Sequence, residues 1–294
     1  MKKTIAVHWH YGAATHSGWH RATNDDRSLI RIGLTAGGTP YAVAALADGM
    51  GGLGAGGAAG DAAMEGLRTW LEERLSKLLD RKDRWSAFER EAVRQFQTIH
   101  GQIVEQSHKQ GERQGTTLTL LLLIGAVYLI VHIGDCRVYK FSPGQDLKRL
   151  TRDHTWVNGQ VRRGLMSNET ARKHPKRNVL LSFLGMNGNP RVEVQSGLYT
   201  PGTLFLLSSD GFHGSFPETE IRVMLTAARD RGEGAQAICD ELLSRTLEHR
   251  AADNISILVL KAMDRHAGDD PILIGLKLFL HRLRRLRLSS YFLP

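Results

Sequence analysis

Six aspartates in this sequence stand where strand-like apolar segments meet polar loops. They are Asp25, Asp26, Asp48, Asp135, Asp210 and Asp253. Taken singly, each also fits an ordinary solvated turn, because Asp-Gly and Asp-Asp are common turn dipeptides. If the segment ends converge, the carboxylates form an oxygen-only site, which suits Mg²⁺ or Mn²⁺ and disfavours zinc. Clustered negative charge destabilises a fold unless a cation or an arginine neutralises it, so a metal would complete the pattern.

A glycine-rich run offers a second kind of chemistry. Gly52-Leu53-Gly54-Ala55-Gly56-Gly57 formally satisfies G-x-G-x-x-G between a predicted strand and a predicted helix. It therefore indicates a nucleotide-dependent enzyme as an alternative. The match is weak because Asp48 to Gly51 separate the strand from the first glycine. A P-loop is excluded, since no Gly-Lys-Ser/Thr follows.

The elements that must position the aspartates come in blocks. Strand-like patterns are followed by two amphipathic helices, then by more strands, two more helices and a last strand. This order favours antiparallel sheets with segregated helix pairs, an α+β fold, over a βαβ alternation. The predicted strands are 4–11, 28–34, 41–46, 116–124, 127–133, 138–141, 191–198, 203–209 and 255–260. The first helix pair is a helix after Gly60, with apolar positions from Met64 to Leu79, and a helix over 85–110; the second pair is 217–228 with 234–249.

The longest apolar stretch, 118–133, raises the question of a membrane span. It is shorter than the roughly 20 residues a spanning helix needs, and Gly125 and Ala126 interrupt it. We therefore predict a buried β-hairpin. At the N-terminus, the apolar part of residues 4–10 is too short for the core of a signal peptide, so secretion is not expected.

Composition narrows the class of protein. The chain has 294 residues with 41% hydrophobic content, enough for a substantial core, and a formal net charge of +9. The charge indicates anionic partners, but no nucleic-acid-binding module accompanies it, so we predict no nucleic-acid partner. Cys136 and Cys239 are far apart and show no metal-binding spacing, which is typical of a reduced, cytoplasmic protein.

Seven short motifs in this order resemble the PP2C-type (PPM family) metal-dependent protein serine/threonine phosphatases, in their bacterial form. The resemblance extends from about Gly18 to Leu260. The motifs are Arg21-x-x-Asn24-Asp25-Asp26, Ala47-Asp48-Gly49-Met50-Gly51-Gly52, Gly115-Thr116-Thr117, Gly134-Asp135-Cys136-Arg137, Leu150-Thr151-x-Asp153-His154, Ser208-Ser209-Asp210-Gly211 and Asp253-Asn254-Ile255-Ser256.

The resemblance implies a four-layer α-β-β-α sandwich, with two antiparallel sheets flanked by helix pairs, and a site for two Mn²⁺ or Mg²⁺ ions with a third, more weakly bound ion. It also assigns roles by position. Asp48 bridges the two core metals, the Gly49 carbonyl and Asp25, Asp26, Asp210 and Asp253 complete their coordination, Asp135 helps to hold the third ion, and Arg21 binds the substrate phosphate.

The implied activity is hydrolysis of phosphoserine and phosphothreonine by a metal-bridging water, with Arg21, Asp48 and Asp210 as the catalytic residues. The implied partners are a phosphorylated protein and the serine/threonine kinase that the enzyme opposes. A catalytically silent signalling or binding module with the same fold is the alternative within the family.

Several positions depart from the family pattern. Met50 stands where many eukaryotic members have a histidine proposed as general acid, and methionine cannot donate a proton. Cys136 replaces the usual serine, and 181–185 lacks an arginine often found there. The segment 155–178, in the place of the family's flap, is strongly basic, and we interpret most of its charged side chains as a solvated face.

The phosphatase domain is predicted to span 1–262, followed by a linker and a basic, leucine-rich tail over 263–294. The part of the tail from 271 to 288 is amphipathic and too short in its apolar portion to cross a bilayer. This segment could dock on the catalytic domain, in the groove of a partner protein or at an anionic membrane surface. We therefore expect the protein to be cytoplasmic or peripheral at the inner membrane face. We expect a monomer.

Overall fold

The fold is built from two antiparallel sheets and two groups of helices. The structure, a computed structural model, describes residues 9–51 and 55–263. Within these ranges the strands are β1 (Trp9–His16), β2 (Arg27–Leu34), β3 (Pro40–Ala47), β4 (Gly49–Gly51), β5 (Gln114–Thr116), β6 (Leu118–Ile124), β7 (Val127–Ile133), β8 (Arg137–Phe141), β9 (Lys148–Arg149), β10 (Glu193–Leu198), β11 (Leu204–Ser208) and β12 (Ile255–Ala262).

The helices divide between the two halves of the chain. The first group runs almost without interruption, since a π-helical turn, Leu71–Leu75, joins its first two members. The α-helices are α1 (Ala55–Trp70), α2 (Ser76–Leu79), α3 (Arg84–Gln110), α4 (Trp156–Arg162), α5 (Asn168–Lys173), α6 (Asp210–His213), α7 (Glu218–Asp230) and α8 (Ala235–Glu248).

Each large sheet has five strands, and every neighbouring pair is antiparallel. One sheet has the order β1-β12-β11-β8-β9, and the other has the order β10-β7-β6-β3-β2. A separate two-stranded ribbon joins β4 to β5. No parallel pair or βαβ crossover occurs among these described strands, so the fold contradicts the dinucleotide-binding alternative. Residues 52–54 of its glycine-rich run lie outside the described residues.

Three separate apolar cores show that the molecule has four layers. The first lies between α1–α3 and one face of the second sheet, where Val43 and Phe96 are buried. The second lies between the two sheets, where Leu46 and Leu258 meet. The third joins the first sheet to α7 and α8 and includes Phe212. The prediction of an α-β-β-α sandwich is thus confirmed.

Most predicted elements lie within a few residues of the observed ones. The apolar stretch forms the hairpin β6–β7, in which Ile124 pairs with Val127 across the turn. No helix in the described part of the chain is long and apolar enough to cross a membrane. The first strand is shifted relative to the predicted 4–11, since the described β1 runs from Trp9 to His16. The predicted tail segment 271–288 lies outside the described residues.

Candidate metal centre

The charges of the aspartates identified in the sequence act on one another at one end of the sandwich. Both sheets contribute. Asp26, Asp48 and Asp135 flank β2, β3 and β7 of one sheet, and Asp210 and Asp253 flank β11 and β12 of the other. The convergence of strand ends that the sequence predicted is therefore present.

Asp26 links the two sheets and has one free carboxylate oxygen. Its Oδ2 accepts a hydrogen bond from Ser209 Oγ at 2.8 Å, and the Ser209 hydroxyl in turn accepts from the Ser256 N–H at 2.9 Å. Its Oδ1 is buried without any hydrogen-bond partner. Burial, opposed by these hydroxyl contacts and reinforced by the charge of Asp253, raises the pKa of Asp26 to about 6. A buried, unpartnered carboxylate oxygen is expected to have a ligand.

Asp48 is positioned through its backbone. Its N–H donates to Thr117 Oγ1 at 2.9 Å, while its carbonyl accepts from the Thr117 N–H at 2.9 Å and from Thr116 Oγ1 at 3.0 Å. These contacts show a structural role for the Gly-Thr-Thr motif that its residue types alone did not predict. Burial and the charges of neighbouring carboxylates, first among them Asp26 and Asp210, raise the pKa of Asp48 well above its ordinary value.

Asp135 and Asp210 extend the same cluster. Burial raises the pKa of Asp135 to about 7, with the charge of Asp153 adding to the effect. Burial together with the charges of Asp135 and Asp253 raises the pKa of Asp210 well above its ordinary range. The carboxylates repel one another, so the cluster carries more negative charge than its surroundings balance.

Arg21 is a cation that acts on this excess charge. Its Nε and Nη2 donate to the two oxygens of Asp253 at 2.8 and 2.9 Å, and its side chain remains 57% exposed. The neighbouring Asn254 holds the loop, because its amide donates to the carbonyls of Ser17 and Thr23 at 2.9 Å. Arg21 thus lies at the exposed edge of the cluster, where an incoming anion would meet it.

Asp25 and Gly49 lie on the side of the cluster that faces α1. A Cβ built on Gly57, in the first turn of α1, would lie 3.0 Å from Asp25 Oδ1 and 3.2 Å from Arg27 Nη2, so the Asp25 carboxylate lies near a guanidinium. A Cβ at Gly49 would lie 2.2 Å from the carbonyl oxygen of Gly56. Glycine is therefore required at position 49 for the close approach of α1.

The donor set fits a hard divalent cation. It consists of carboxylates and carbonyls, includes the unpartnered Asp26 Oδ1, and carries uncompensated negative charge. No three of the described Asp, Glu, His or Cys side chains approach closely enough to enclose an ion as they stand. Both oxygens of one of these carboxylates, Asp253, accept hydrogen bonds from Arg21.

A buried ion pair connects this centre to the basic segment 155–178, which we call the flap. Arg137, two residues after Asp135, donates from Nη2 to Asp153 Oδ2 at 2.6 Å and from Nε to Asp153 Oδ1 at 3.0 Å. The Asp153 carbonyl accepts from the amide of Asn158 in α4 at 2.5 Å. Arg137 and Asp153 belong to two different sequence motifs, sixteen positions apart, and nothing in either motif predicted their pairing.

The flap has two further attachments. Its ends are paired, since the Trp156 N–H donates to the Val179 carbonyl at 2.8 Å. Arg172 of α5 donates to the carbonyls of Phe216 at 2.7 Å and Gly214 at 3.4 Å, in the loop that joins α6 to α7. Arg172 is exposed, as the interpretation of most flap charges as a solvated face allows, but it also attaches α5 to this loop.

Between the flap and the carboxylates lies a cavity of about 660 Å³. Its lining includes Asp135, Asp210 and Asp253 as well as Arg172 and Arg177 of the flap. The cavity is large enough for several residues of a peptide. An occupant that reached the carboxylate cluster would therefore also contact the flap.

Comparison with known proteins gives one consistent result. Residues 21–253 match the family model for protein phosphatase 2C. The serine/threonine phosphatase stp of Listeria welshimeri is 30% identical over 228 residues, which covers 76% of this chain and 86% of that protein.

Solved structures show the same architecture. The S. agalactiae serine/threonine phosphatase superposes with a TM-score of 0.76 at 23% identity, covering 86% of this chain and 99% of that one. The catalytic domain of the phosphatase PstP, in complex with two manganese ions, has a TM-score of 0.71 at 25% identity and covers 88% of this chain and 100% of that one.

Proposed function

This chain belongs to the protein phosphatase 2C family, and we propose from that premise that it is a metal-dependent enzyme that hydrolyses phosphoserine and phosphothreonine in proteins. The observation that supports this most directly is the carboxylate cluster. Burial and mutual repulsion raise the pKa values of four aspartates from the two sheets, Asp26, Asp48, Asp135 and Asp210, and one buried carboxylate oxygen, Asp26 Oδ1, has no partner. Such an arrangement has no evident structural use without a cation.

We propose Asp26, Asp48, Asp210 and Asp253 as side-chain ligands of two core ions, with the Gly49 carbonyl beside them. Asp25 and Asp135 are the outer ligands, and Asp135 serves a third ion. Mn²⁺ is the ion we favour over Mg²⁺, because a related catalytic domain has been solved with two manganese ions. Bound divalent cations would supply an activated water as nucleophile and would neutralise the phosphate's charge.

The protein's own side chains bind and orient the substrate. Arg21 is proposed to hold the phosphate, since its exposed guanidinium already binds an anionic group, the carboxylate of Asp253. Phosphate offers the same bidentate geometry to the guanidinium. Met50 contributes no proton, so the family's histidine general acid has no equivalent at that position.

We further propose that the enzyme acts as a monomer in the cytoplasm and opposes a serine/threonine kinase. Both cysteines, Cys136 and Cys239, are buried free thiols, which fits a reducing compartment. Attachment of segment 271–288 to a membrane surface or a partner stays a prediction from its sequence.

Phosphate release from a phosphothreonine peptide tests the proposed function. We expect turnover with Mn²⁺, its loss with EDTA, and a decrease of at least about 100-fold in Asp48→Asn and Asp210→Asn. Asp146→Asn is the matched control, because Asp146 is 88% exposed in the turn between β8 and β9. Turnover that persists in EDTA would contradict the metal mechanism, and phosphopeptide binding without turnover would favour the silent signalling module.

A further inference from the structure

The cavity beside the carboxylate cluster contains four arginines, and three of them already have partners. Arg137 and Arg149 form ion pairs with Asp153 and Glu218. The guanidinium of Arg172 donates to two backbone carbonyls. The charges and hydrogen-bond donors of these three arginines are thus already used in contacts within the protein.

Arg177 differs from these three. Its side chain lines the same cavity and is exposed, and within residues 9–51 and 55–263 its guanidinium has neither a carboxylate at ion-pair distance nor a hydrogen bond. The acid of the flap that also lines the cavity, Glu169, is paired with Lys173 at 3.2 Å. Arg177 therefore presents an uncompensated positive charge and free donors to the cavity.

The backbone that carries Arg177 is fixed in place. Its N–H donates to the His174 carbonyl at 3.0 Å. The neighbouring Lys176 lies 5.1 Å from the centre of the Trp156 ring, which itself packs on His174 at 5.1 Å. A free guanidinium on an ordered turn loses less conformational entropy on binding an anion than one on a disordered segment would.

We propose that Arg177 recognises an acidic side chain of the substrate, so that the enzyme prefers phosphoproteins with aspartate or glutamate beside the phosphorylated residue. The proposal rests on the phosphatase function proposed above. A phosphorylated residue at the carboxylate cluster places its neighbours in the cavity, which Arg177 also lines. Arginine binds carboxylates through two parallel hydrogen bonds, and the cavity reduces screening by solvent.

The test compares three substrates in the presence of Mn²⁺. These are a phosphothreonine peptide with glutamates on both sides, the same peptide with alanines in their place, and p-nitrophenyl phosphate. We expect the wild-type protein to favour the acidic peptide by about tenfold in kcat/KM. Arg177→Gln should abolish that preference and leave kcat/KM for the other two substrates unchanged. Arg163→Gln, an exposed flap variant outside the cavity lining, should retain it.

Two results would overturn the proposal. One is an acidic preference that survives Arg177→Gln. The other is an equal loss on all three substrates or in both variants, which would indicate a structural or general electrostatic effect. The dissociation constants of fluorescent forms of the two peptides provide a second readout. If no substrate releases phosphate, the proposed function is wrong, whereas the dissociation constants still decide whether Arg177 selects acidic peptides.

Discussion

Replacing Asp153 by asparagine removes the negative charge that faces Arg137 while almost preserving the shape of the side chain. In the wild-type protein the two side chains are only 11% and 15% exposed and share three hydrogen bonds. Burial alone would raise the pKa of Asp153, but the charge and hydrogen bonds of Arg137 hold that pKa well below its ordinary value. The variant would leave a buried guanidinium with an uncharged partner.

The expected cost follows from the burial of the pair. Removing one member of a buried ion pair typically costs about 3–5 kcal/mol. We expect the lower end, about 3 kcal/mol, because Tyr139 at 3.1 Å and Glu218 at 3.9 Å also face the Arg137 guanidinium. For a domain of this size that corresponds to a decrease of roughly 6 to 12 °C in the unfolding midpoint.

Urea unfolding followed by circular dichroism, at pH 7 and fixed Mn²⁺, measures this cost. The double variant Asp153→Asn with Arg137→Met should be less destabilised than the sum of the two single variants, by about 1–3 kcal/mol. Arg81→Gln is the matched control, since Arg81 makes a similar two-bonded contact with Asp83 on the surface, and its unfolding midpoint should not change measurably.

The pH dependence gives a second check on the same pair. The folded-state pKa of Asp153 lies below its unfolded-state value, so the pair contributes fully above about pH 4 and its contribution is lost as the pH falls further. The penalty of Asp153→Asn should therefore decrease in acid. A cost below about 0.5 kcal/mol at pH 7, or strictly additive single variants, would refute the assignment of a stabilising buried pair.

Three further substitutions and one control substitution test other parts of the structure. Thr117→Val leaves the Asp48 N–H without its acceptor at 2.9 Å, so the free energy of unfolding in urea should fall by about 1–3 kcal/mol. The Mn²⁺ concentration needed for half-maximal activity should rise. An unchanged Mn²⁺ requirement would contradict the role of Thr117 in positioning Asp48. Gly49→Ala places a Cβ 2.2 Å from a carbonyl oxygen of α1 and should destabilise the fold. Gly101→Ala is the control, because a Cβ at this position in α3 has no other atom within 4 Å, and it should stabilise the fold by about 0.5–1 kcal/mol in the same assay. Burial lowers the pKa of His132 to about 3, below its unfolded-state value of about 6.5. The contribution of neutral His132 to stability should therefore be complete above pH 6.5 and decline towards pH 3. Between pH 7 and pH 5, the free energy of unfolding should decline less in His132→Gln than in the wild-type protein.

The sequence was informative wherever a short apolar run ended in an acid. Asp48, Asp135 and Asp210 each follow such a run, and the structure places all three at one end of the sandwich. The hairpin β6–β7 was predictable because its two halves are apolar and meet at Gly125, whose φ of +58° suits a tight turn. At these positions the local sequence pattern alone was enough to predict the strand ends and the turn that the fold contains.

Other features depend on contacts that local patterns do not encode. The ribbon formed by β4 and β5 has three residues in each strand, too few for any periodicity to show. The two carbonyls that bind Arg172 lie more than forty residues away, so nothing near that arginine distinguished it from its solvated neighbours. The hydrogen bond between Asp26 and Ser209 spans 183 residues in the same way.

The position of β12 in its sheet has a consequence for synthesis. This strand comes last among the described strands, yet it lies between β1 and β11, and it is the partner of β1 along the whole length from Trp9 to His16. A nascent chain that has emerged only as far as residue 250 would have an unpaired first strand and would lack Asp253. The ribosome must release the end of the domain before the two sheets can close around the metal centre, so incomplete chains should be unable to act on phosphoproteins while they are being made.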